Sequence, residues 1–92
     1  MMMAVYNYPI RAQLCEPTEV EMPEGAQVLH VDMQHGMPCV WALVDTGDVP
    51  KVRRGFVVVG TGHSFNAEGA TFLNTMFHGE LVFHAFELAK GA

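Results

Sequence analysis

Between Val28 and Met33 two sets of positions alternate: Val28, His30 and Asp32 on one, Leu29, Val31 and Met33 on the other. Side chains along a strand point to opposite faces in turn, so the pattern predicts a half-exposed strand with Leu29, Val31 and Met33 inward. Three other runs are apolar on both sets. In 39–44 one set holds Cys39, Trp41 and Leu43 and the other Val40, Ala42 and Val44. Residues 56–59 read Phe-Val-Val-Val, and 81–86 place Leu81, Phe83 and Ala85 against Val82, His84 and Phe86. Strands of this kind need cover on both sides. A short chain without a long amphipathic stretch can supply it by folding its sheet over or by pairing with copies of itself.

Turn formers punctuate the chain every eight to twelve residues: Pro9, Pro17, Pro23-Glu24-Gly25, His35-Gly36, Thr46-Gly47-Asp48, Gly60-Thr61-Gly62, Glu68-Gly69 and His78-Gly79. The runs between them are rich in Val, Phe, Leu and Thr, the signature of an antiparallel all-β domain. Seven strands are predicted, at 4–8, 17–22, 26–34, 38–45, 52–60, 71–77 and 81–88. Two hairpins stand out, one across Gln34-His35-Gly36-Met37 and one across His78-Gly79, each with a glycine at its second turn position to supply positive φ. Residues 64–69 show no apolar stripe and are read as loop. The expected fold is a single all-β domain over 1–92, a small antiparallel sheet folded as a sandwich or partly closed barrel. Its doubly apolar strands lead us to expect a homo-oligomer, most simply a two-fold dimer.

Composition narrows the function classes. Of 92 residues, 50% are apolar and 16% charged, too greasy and too weakly charged for a disordered chain. Ten acidic against five basic residues give a net charge of −5, which argues against broad binding to duplex nucleic acid. The longest apolar runs are far shorter than the ~20 residues of a membrane-spanning helix. The opening MMMAVYNYPIRAQLC lacks a basic n-region and a long apolar h-region, so the cytoplasm is the expected compartment. Cys15 and Cys39 are accordingly expected to be reduced thiols, with Cys39 a small buried hydrophobe.

Candidate chemistry concentrates in KVRRGFVVVGTGHS, residues 51–64, which holds three of the five basic residues. A Gly-x-Gly turn can point backbone N–H groups into one concavity and hold an anion. Gly60, Thr61, Gly62 and His63 are therefore candidate donors to a phosphate or ribose, and Arg53 or Arg54 could pair with a phosphate. Adjacent residues on a strand face opposite sides, so at most one arginine points into a given pocket unless Gly55 introduces a bulge. Trp41 and Tyr8 are candidate stacking residues. Walker and dinucleotide fingerprints are absent. The five histidines, including His30 in an H-x-D pair and His84 between aromatics, show no metal-ligand spacing. No nucleophile elbow or paired carboxylate occurs. No catalytic residue, metal or cofactor is assigned.

The stretch EMPEGAQVLHVDMQHGMPCVWALVD, then GTGHSF, then FHGELVFHAFE, resembles a family of small phage and prophage proteins that carries these motifs in the same order. The resemblance spans about residues 18–88. That family is a domain of unknown function, so it brings no established catalytic or binding residue. It implies a phage context, in which small oligomeric proteins often inhibit host defence. One type sequesters nucleotide immune signals between identical subunits, and another blocks a host protein. The expected function is a non-catalytic sponge for a small phosphorylated or nucleotide-derived host signal, held at a subunit interface. The alternative is a protein–protein inhibitor or structural accessory. A small metal-dependent phosphodiesterase-like enzyme is third.

Overall fold

The computed structural model describes residues 1–11 and 13–89. They form seven strands: β1 (Met3–Pro9), β2 (Thr18–Pro23), β3 (Gln27–Gln34), β4 (Met37–Asp45), β5 (Lys51–Gly60), β6 (Thr71–His78) and β7 (Leu81–Glu87). Among the described residues there is no helix, so none long and apolar enough to cross a membrane. All pairings are antiparallel. A three-stranded sheet runs β1-β4-β3 and a four-stranded sheet runs β2-β5-β7-β6. The molecule measures 42 × 28 × 18 Å, its short dimension matching two packed sheets with their side chains. It is a sandwich, and the barrel is not closed.

Both inner faces follow the period of two. Val40, Ala42 and Val44 on β4 and Val31 on β3 meet Phe56 and Val58 on β5, Phe83 and Ala85 on β7, Met76 on β6 and Met22 on β2. Most of these are completely buried, each apolar side chain contributing ~1.5–3 kcal/mol. Two bulges interrupt the alternation. One falls between Val28 and His30, the other between Phe72 and Asn74. The first corrects the predicted faces of β3. The extra residue, Leu29, is 48% exposed, while Val28 turns inward and packs on the core beside Val31 and Met33. The second turns both Leu73 and Asn74 toward the interior.

The hairpins also separate on inspection. Gln34 pairs with Met37, and the intervening His35 and Gly36 lie at φ +52° and +77°, as a type I′ turn requires. In the second hairpin His78 still pairs with Leu81, so the turn is Gly79-Glu80 and not His78-Gly79. Gly79 occupies the first turn position at φ +61°, which is the type II′ arrangement.

Strand β5 shows how a doubly apolar strand is covered. Phe56 to Gly60 are all buried. Phe56 and Val58 face the core, while Val57 and Val59 face the opposite side of the sheet. On that side Phe65, from the β5–β6 connection, packs on Phe86 with ring centroids 4.9 Å apart, and a small cavity is lined by Val57, Phe65, Cys15 and Pro17. Residues 64–69 form the predicted loop, anchored by Phe65 on Phe86.

Candidate functional site

The β2–β5 register runs regularly through Gly55, with Glu19 opposite Gly55, Val20 opposite Arg54 and Glu21 opposite Arg53. Arg53 and Arg54 therefore face opposite sides. Arg54 shares its face with Phe56 and Glu87. Its Nε donates to Glu87 Oε2 at 2.6 Å and its Nη2 to Oε1 at 2.9 Å, while Nη1 donates to the carbonyl of Ala26. This is a bidentate, charge-assisted pair, and the hydrogen bonds that Arg54 donates to Glu87 push its guanidinium above the ordinary range. Every nitrogen of Arg54 is engaged. Arg53 is solvated and stands 3.9 Å from an exposed Glu19, an interaction worth little.

Both arginines line a cleft of about 330 Å³ with Glu19, Glu24, Glu87 and Leu88. Two of its three carboxylates are matched by the arginines, and Glu24 adds a further negative charge. By this count the lining carries one more negative than positive charge.

The glycine loop closes on itself. The Thr61 N–H donates to Val82 O at 3.3 Å, and the His63 N–H donates to Gly60 O at 3.1 Å. Gly62, at φ +88°, supplies the third position of this tight turn. Gly60 is required for a different reason. A β-carbon there would come within 2.9 Å of the His63 ring, which packs against the bare backbone. The amides of Thr61 and His63 are thus spent inside the chain.

Beside it lies a polar relay that links β6 and β7 to the turn after β5. His84 on β7 meets Thr61 Oγ1 through Nε2 at 2.7 Å and Thr75 Oγ1 through Nδ1 at 2.9 Å. A neutral imidazole offers one donor and one acceptor, so one threonine hydroxyl gives a proton and the other receives one. This satisfies His84 as a structural histidine. His30 and Asp32 stand 3.5 Å apart on the exposed face of β3. Among the described residues no three His, Cys, Asp or Glu side chains gather as a metal site. Cys15 and Cys39 are both free.

The remaining candidates lie elsewhere. Trp41 stands half-buried on the outer face of the three-stranded sheet, flanked in register by Asn7 and His30. Tyr8 is on the inner side of β1, opposite Val40 and against the core, and burial pushes its phenol above the ordinary range. Thr61 belongs to the outer face of the other sheet. The chain by itself therefore does not bring Tyr8, Trp41, Arg53, Arg54 and the Gly60–His63 turn into a single pocket.

What the chain does present is apolar surface. On β6 Phe77 is 72% exposed and Phe72 55%, near a 58% exposed Leu81 at the start of β7. On the three-stranded sheet Val5, Met3 and Leu29 are open beside half-buried Trp41 and Leu43. Reading from sequence missed Asn74, whose side chain exchanges two hydrogen bonds with the backbone of Val31: N–H to Oδ1 at 2.8 Å and Nδ2 to O at 2.6 Å. Its signal was a lone amide within the apolar run of β6.

A family described as a domain of unknown function, DUF7352, matches residues 1–92, and the chain belongs to it. No curated protein and no solved structure matches the chain.

Proposed function

We propose that this chain is a non-catalytic binding protein that acts by stoichiometric association, self-assembled, with another protein as its target. The observation that carries this reading is the exposed apolar surface on both outer faces, around Phe72 and Phe77 on one and Val5, Leu43 and Trp41 on the other. Several large apolar side chains exposed on so small a domain favour association. The target class follows from its chemistry. Exposed aliphatic and aromatic groups suit a protein surface, whereas Arg54 is committed to Glu87. The resemblance to phage proteins supports a host protein as that target.

Capture of a nucleotide-derived host signal is the second reading, and Trp41 favours it. A half-exposed indole between Asn7 and His30 offers a stacking face with hydrogen-bonding groups on both sides. In that reading a second subunit supplies the phosphate-binding groups.

One experiment separates the two. Tagged protein is mixed with host lysate and with a panel of cyclic dinucleotides and ADP-ribose-type molecules, then weighed by native mass spectrometry. A stoichiometric protein partner supports the first reading. An intact nucleotide carried by the oligomer supports the second, and a melting temperature raised by that nucleotide follows from linkage. Nucleotide fragments in place of intact ligand contradict both and indicate turnover.

A further inference from the structure

Two sheets present four edge strands, and natural β proteins blunt such edges with charge, proline, bulges or cover. Three of these edges are treated in that way. Strand β2 carries Glu19 and Glu21 between Pro17 and Pro23. Strands β3 and β6 each hold a bulge and lie against one another, joined by Asn74 and Val31. Strand β1 has none of these devices before Pro9. Its sequence, MAVYNYP, carries no charge, and its register with β4 is unbroken from Met3 to Pro9. Val5 is 53% and Tyr6 45% exposed.

The hydrogen bonds at its two ends show which groups are open. The Ile10 N–H donates to Pro38 O, and Met2 O accepts from the Thr46 N–H, all on the β4 side. In an antiparallel ladder N–H and C=O point to alternate sides at successive residues. The even positions of β1 are therefore spent on β4. Met3, Val5 and Asn7 direct both backbone groups to the open edge.

We propose that this edge pairs with the same edge of a second copy, antiparallel about a two-fold axis at Val5, so that two three-stranded sheets become one of six. Val5 then faces the partner's Val5 and Met3 faces the partner's Asn7, and all three outward residues exchange both hydrogen bonds. On the inner side Tyr6 lies across from the partner's Ala4 and gains cover. The occupant follows from charge. Each copy carries −5, so two copies meet most easily along an uncharged strand, and β1 is one. An acidic or basic peptide finds no partner charge on it. The inference rests on the self-association proposed above and supplies its geometry.

The test is the solution mass of the full chain, as wild type, Val5→Pro and Val5→Lys. The Val5 N–H faces away from β4, so proline removes nothing from the fold, and lysine retains the N–H while setting two like charges face to face. The wild type is expected at twice 10.1 kDa and both variants at 10.1 kDa, with unchanged circular dichroism. If Val5→Pro does not fold, Val5→Lys decides alone, with a roughly tenfold or greater rise in the dimer dissociation constant expected. A wild-type oligomer that both folded variants retain overturns the β1 interface and leaves self-association standing. A wild type that stays at 10.1 kDa overturns both.

Discussion

Asn74 takes the place of a backbone residue. Its carboxamide presents one acceptor and one donor to Val31, as a neighbouring strand would, and so joins β6 to β3 where no ladder runs. Asn74→Ala leaves the Val31 N–H and C=O without partners in a half-buried seam. A loss of ~1–3 kcal/mol is expected, read as a lower urea midpoint at unchanged slope. Arg54 is the other residue whose removal strands a partner. Arg54→Ala leaves the partly buried Glu87 carboxylate unpaired and is expected to cost about 1–3 kcal/mol. Arg54→Lys keeps the charge but not the fork, and should recover only part of that loss in the same assay.

Two acids carry a pH dependence. Burial pushes the Cys39 thiol above its ordinary 9.0, against a weaker downward pull from Asn7 and Arg11, and pushes the Tyr8 phenol above 10.0. Both shifts favour the protonated form in the folded state. Their contribution to stability is whole below pH 9, and it is lost as pH rises through the raised folded values. The melting temperature should therefore hold from neutrality to about pH 9 and then fall. In Cys39→Ala the first part of that fall should disappear.

At the scale of elements, every strand boundary was legible to within one residue, because proline and glycine mark the turns and Val- and Phe-rich runs fill the gaps between them. The bulges were not legible. Leu29 and Leu73 sit inside apolar stretches, and which residue is squeezed out depends on the partner strand's register. The second hairpin was displaced by one residue for a related reason: Gly79 serves at the first turn position as readily as at the second. Nor did the pattern show that Phe65, in the connection after β5, packs on Phe86 of β7 near Val57. Phe65→Ala is expected to cost about 1–2 kcal/mol and to raise binding of an apolar dye, both read against wild type. The candidate site was legible as a basic segment followed by a glycine turn. The pairing of Arg54 with Glu87, thirty-three residues away, was not, since no local pattern encodes it.

At the scale of the whole molecule, the doubly apolar strands separate into two cases. Strand β5 hides both faces within the chain. Strands β4 and β6 do not, and Trp41, Leu43, Phe72 and Phe77 stay open to varying degrees. Self-association is proposed to meet that deficit in part, with β1 as the seam and the outer faces as surface left for a target. Sedimentation equilibrium of the unaltered chain over a wide dilution series tests this most directly. Twice 10.1 kDa is expected at high concentration, falling toward 10.1 kDa on dilution. A single species of 10.1 kDa throughout the series contradicts it.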